Sequence, residues 1–123
     1  MDEKIFFATV AERAGLSKEE AADLTRATLA DLAGQISGGE LQRLAVGLPD
    51  WLEPHVPRHD GRSHPKPLTD FVREISRRTG LTEEETRRGV SAVLAALREA
   101  MDPRHLDHAL ASLPKDYRQL AAA

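Results

Sequence analysis

Three histidines, His55, His59 and His64, crowd into one short stretch with Asp60 among them. Neutral imidazole is a good ligand for zinc or nickel, so these three are the metal candidates. A structural zinc site ordinarily needs four fixed ligands, commonly with cysteine, and the chain has no cysteine. The stretch reads more simply as a polar connection than as a ligand cage, and no metal or other cofactor is assigned. His105 and His108 lie three apart and share one face of a predicted helix. Asp102 and Asp107 are their ready hydrogen-bond partners. Ser63-His64 near Asp60 has the letters of a catalytic triad, but neighbours in one loop are not preorganised against each other. The adjacent carboxylates Glu19 and Glu20 point to different faces of a helix. No catalytic residue is assigned, and the chain is expected not to be an enzyme.

Arginines form the second group. Arg77-Arg78 and Arg87-Arg88 flank one predicted turn and would make a local anion patch suited to nucleic acid. Glu74, Glu83, Glu84, Glu85 and Glu99 are interleaved with them. A solvated helix surface laced with pairs such as Glu84 and Arg88 accounts for the same letters. Trp51 and Tyr117 form the third group. Each follows a Leu-Pro break, where a large ring makes either a lid over the core or an interface anchor.

Composition narrows the classes. The chain has 123 residues, 41% apolar and 30% charged, which suits one helical domain or two small halves sharing a core. Aromatics are only 4%, so Leu, Ala and Val must build the interior. A net charge of −3 gives no global pull toward nucleic acid or anionic lipid. The lack of cysteine fits a reducing cytoplasm. Met1-Asp2-Glu3-Lys4 does not open a signal peptide, and no apolar run reaches the roughly 20 residues of a membrane span.

The elements that must position these side chains are helices. Asp2 caps a first helix through Ala14, with Ile5, Phe6, Val10 and Ala14 inward. Gly15 stops it, and Ser17 with Glu20 forms a capping box for a helix to about Gln35. Its inward stripe is Ala21, Leu24, Ala27, Thr28 and Leu32. Ser37 and Glu40 open a third helix, and Pro49 opens a short fourth around Asp50, Trp51 and Leu52. Residues 54–66, rich in Pro and His, form an exposed linker. Pro67 opens a helix to Thr79 with Leu68, Phe71, Val72 and Ile75 inward. Gly80, Thr82 and Glu85 repeat the stop and capping box, and the helix from Glu83 to Ala100 buries Val90, Val93, Leu94 and Leu97. Asp102-Pro103 and Pro114 start the last two helices, and Ala121–Ala123 forms a frayed tail.

The chain is internally repeated. Shifted by about 65 residues, it aligns on itself without a gap, with about a quarter of positions identical. Phe6 meets Phe71, Arg13 meets Arg78, Gly15-Leu16-Ser17 meets Gly80-Leu81-Thr82, and Leu48-Pro49 meets Leu113-Pro114. Residues 1–53 are one helical repeat and 67–123 the other. The expected fold is all-α: two tandem four-helix repeats packed with pseudo-twofold symmetry into one compact helical domain.

The ordered set Phe-x-x-x-Val/Ile-x-x-Arg-x-Gly-Leu-Ser/Thr-x-Glu-Glu, a long Leu/Ala helix, a Pro start and a Leu-Pro stop occurs twice. It resembles the bacterial domain-of-unknown-function family 2267 from about Phe6 to Leu120. The resemblance implies a duplicated all-α fold and carries no catalytic residue. Val10–Ala21 also resembles a helix-turn-helix and the helical pair of histone-like HU proteins. Carboxylates at Glu19-Glu20 and Glu83–Glu85 would face phosphates, and no β-arm follows. The expected function is protein interaction or self-association through Trp51 and Tyr117. Nucleic-acid binding by Arg77, Arg78, Arg87 and Arg88, and metal binding by His55, His59 and His64, stand as alternatives.

Overall fold

The computed structural model describes residues 1–57 and 59–122; Arg58 of the linker and Ala123 of the tail lie outside them. Seven α-helices are present and no strand occurs among the described residues. They are α1 (Glu3–Ala14), α2 (Lys18–Gln35), α3 (Gly38–Gly47), α4 (Leu68–Thr79), α5 (Glu83–Ala100), α6 (Pro103–Ala111) and α7 (Lys115–Ala122). None is long and apolar enough to cross a membrane.

The sequence signals at the helix ends act as physics requires. Asp2 accepts the Ile5 N–H at 2.8 Å. Gly15 and Gly80 take positive φ, 68° and 77°, and turn the chain out of α1 and α4. Ser17 accepts from Glu20 N at 3.1 Å while Ser17 N donates to Glu20 Oε1 at 2.9 Å. Thr82 and Glu85 make the same reciprocal pair at 3.0 and 2.9 Å. Each box satisfies two N–H groups that the helix itself leaves without partners.

Three expectations need correction at this level. The short fourth helix at Asp50–Leu52 is a turn running into a 3-10 segment, Glu53–His55. Pro49 starts it, but Pro54 has no N–H and comes before an α turn can propagate. In α1 the inward face is wider than the four-residue stripe. Phe7 and Ala11 are buried, and Ile5 is 54% exposed. Ala121 is buried within α7, so the tail is anchored at least to that residue.

One cluster of buried side chains draws on all seven helices. α1 packs on α5 and α2, α4 on α2 and α5, and α2 crosses α5. α3 lies against α6, and α7 against α5 and α6. The α2–α5 crossing is close because Gly89 has no side chain: a Cβ there would lie 2.2 Å from Leu24 Cδ2.

Candidate functional site

The linker is not a free loop. The last carbonyls of α2 have no partner within their own helix. His64 N donates to Gly34 O at 3.0 Å, and His59 Nε2 donates to Ile36 O at 2.6 Å. His59 Nδ1 accepts the Gly61 N–H at 2.8 Å, so both ring nitrogens of His59 are engaged. His64 is exposed and pairs with Asp60 at 3.3 Å. The Asp60 carboxyl is held below its usual range, first by the Arg62 N–H and then by His64. His55 ends the 3-10 segment. Among the described residues no three His, Asp or Glu side chains converge as a metal cage.

Further along, Lys66 Nζ reaches Asp31 Oδ2 at 3.0 Å, and that carboxylate is 3% exposed. Gln35 Nε2 donates to the other Asp31 oxygen at 3.0 Å, and Gln35 Oε1 accepts Lys66 N at 3.2 Å. Tyr117 closes the network by donating its O–H to Lys66 O at 2.7 Å. Residues 59–66 are therefore a strap fastened along the end of α2. The sequence showed the prolines and histidines but not the orphaned carbonyls that bind them down.

Trp51 and Tyr117 both serve the interior. Trp51 sits edge-on to Phe6 at 5.2 Å and to Phe7 at 5.7 Å. Tyr117 is 1% exposed and tilts against Phe71 at 5.3 Å. Burial pushes its phenol up to about 12. In this conformation the Tyr117 ring has no surface to offer a partner.

The four arginines divide by what they touch. Arg77 and Arg78 are both held by Glu74, at 2.7 and 3.3 Å, and these bonds keep the Glu74 carboxyl below its usual range. Arg88 donates from Nε to Ala14 O at 2.8 Å, capping the C-terminal end of α1. Arg87 has no ion-pair partner among the described residues. His105 and His108 also pack onto the neighbouring helix. His105 lies against Gly47, and His108 pairs with Arg43.

What the arginines border is a trough along the outward face of α5. Arg13, Arg87 and Arg88 edge a groove of about 460 Å³ floored by Ser91, Ala92, Ala95 and Leu120. Ala95 continues into a second groove of about 470 Å³ between α5, α6 and α7, walled by Arg98, Asp107 and Arg118. Arg13 pairs with Glu99 at 2.8 Å, and Arg98 pairs with Asp107. The sequence reading missed this trough. Its signal was present as Arg87, Ser91 and Ala95, four apart on one face of α5.

The remaining perturbed carboxyls belong to caps. Asp102 is lowered to about 2, chiefly by the Arg104 guanidinium and then by the Arg104 N–H. Glu85 is lowered by the Thr82 N–H and hydroxyl. Neither faces the trough.

Comparison with curated proteins gives no match. The family model described as "Uncharacterized conserved protein (DUF2267)" matches residues 3–120, and the chain belongs to that family.

Proposed function

With that membership as premise, we propose that the chain is a non-enzymatic interaction module of a reducing compartment, built from two helical repeats about a pseudo-twofold axis. The pattern of packing supports the repeat. α1 lies on α5 as α4 lies on α2, and the 3-10 segment contacts α2 as α7 contacts α5. Where equivalent residues meet each other, an axis passes between them. Leu24 meets Gly89, and Arg43 meets His108, each pair 65 positions apart.

The observation that carries the interaction reading is the arginine-edged trough of α5, with a floor of small side chains. It offers apolar area and charge to a partner without a convergent acid, base or nucleophile. The titratable groups with shifted ionisation sit in caps, surface pairs and the Tyr117 anchor, where each has a structural task. Interaction therefore falls to α5 more than to Trp51 and Tyr117. The reading is tested by light scattering of the chain alone, with a lysate-derived partner, and with a random DNA duplex at two salt concentrations. A discrete protein complex or homo-oligomer, indifferent to DNA and weakened by Arg87→Glu, is expected. A DNA complex whose affinity falls steeply with salt would move the function to nucleic acid.

A further inference from the structure

We infer that the groove between α5, α6 and α7 is a docking site for an extended acidic peptide of a partner protein. This rests on the repeat and interaction readings above and gives them a site and a ligand chemistry.

The opposite half carries the strap of residues 59–66. There the strap crosses the surface and leaves two shallow clefts beside it, both lined by His59. One cleft includes Ala30, Ala33, Gly34 and Pro57. The other includes Gln42, Ala45, Glu53 and Val56. Adding 65 to the first set gives Ala95, Arg98, Glu99 and Ala122. Adding 65 to the second gives Asp107, Leu110, Arg118 and Ala121. Together these eight residues are the lining of the α5 groove. The single groove of the second half thus matches the two clefts of the first half, and among the described residues no segment lies between its walls.

The backbone agrees. In the first half the strap supplies donors to Gly34 O and Ile36 O. Their counterparts are Glu99 O and Met101 O. Pro103 has no N–H to give Glu99 O, and among the described residues no donor reaches either oxygen. Glu99 lines the groove, so a peptide lying there meets an acceptor equivalent to the one that the strap satisfies at Gly34.

Charge sets the partner's character. The clefts beside the strap present Ala33 and Glu53 where the groove presents Arg98 and Arg118, and the groove's continuation adds Arg87. Along the trough five arginines, Arg13, Arg87, Arg88, Arg98 and Arg118, stand against two carboxylates, Glu99 and Asp107. Arg87 and Arg118 have no carboxylate within ion-pair distance among the described residues. An extended segment with backbone and imidazole-like donors and acidic side chains matches both features.

The test uses the full chain and a fluorescein-labelled peptide of residues 59–66 carrying Arg62→Glu and Lys66→Glu. Anisotropy should show saturable binding that weakens with salt. Arg118→Glu and Arg87→Glu, both on exposed side chains, should each weaken it about three- to five-fold with unchanged helical content. The unsubstituted peptide should bind less tightly. No binding at millimolar peptide, or equal binding by wild type and both variants, overturns the proposal. Competition by a DNA duplex at moderate salt makes the groove a phosphate track and also overturns it. If the peptide fails but the chain still forms a discrete complex cross-linked elsewhere, this groove is lost and the interaction reading stands. If neither occurs, both fall.

Discussion

Tyr117 joins three parts of the molecule through one side chain. Its ring covers Phe71, its hydroxyl holds the strap at Lys66 O, and its burial raises its ionisation to about 12. A group whose folded value is raised favours the folded state fully below its unfolded value. That contribution is lost as pH rises through the folded value. Stability should therefore fall between about pH 10, the free phenol's value, and about pH 12. Tyr117→Phe removes the titration along with the hydrogen bond. At neutral pH it should cost about 1–2 kcal/mol, because Lys66 O loses its partner. Its urea midpoint should then change much less than wild type between pH 9.5 and 11.5, and parallel pH profiles for the two proteins would remove this assignment.

At the scale of elements, the crossing of α2 and α5 is the tightest joint. Leu24 is fully buried against Gly89, and a methyl at position 89 has no room unless Leu24 yields. Gly89→Ala should cost about 1–3 kcal/mol by overpacking. Leu24→Ala should cost about 2–5 kcal/mol by leaving a cavity. Combined, the alanine at 89 has space where Leu24 stood, so the double variant should lose less than the sum of the two. Chemical denaturation of all four proteins measures the coupling, and strict additivity would mean that the two residues do not share the crossing. Helix ends show the opposite economy. Ser17, Thr82, Gly15 and Gly80 act through bonds to residues a few positions away, which is why they were readable before any packing was known.

At the scale of the whole molecule, the connection between the halves is itself a structural part. Lys66 neutralises Asp31, a carboxylate almost removed from water, while its own side chain remains about one-third exposed. Lys66→Met leaves that carboxylate without its cation. The loss should be about 2–3 kcal/mol, below that of a fully buried pair because water still reaches the site. Amide exchange should quicken at the end of α2 and along residues 59–66 more than in α5. A uniform change across the chain would mean that the strap does not stabilise locally. Residues 59–66 cover the end of α2, and among the described residues no such segment lies over the groove between α5, α6 and α7.

The sequence by itself determined the elements. Capping boxes, left-handed glycines and helical spacing act over a few residues, so α1, α2, α4 and α5 could be placed from Asp2, Gly15, Ser17, Gly80 and Thr82. The proposed duplication is read from equivalent positions that share apolar, cap and breaker residues. Tertiary structure decided the rest. Ile5 faces water and Phe7 does not because two partner helices, rather than one, define the inward arc of α1. Pro54 cuts the fourth helix short. The histidines of the linker became a strap because the orphaned carbonyls of α2 lie beside them, a fact of distance that no spacing along the chain encodes. The arginines that looked like one patch were divided among Glu74, Ala14 O and the trough of α5. Each outcome depended on which groups met across the fold, where Coulomb and hydrogen-bond energies are set by separation in space.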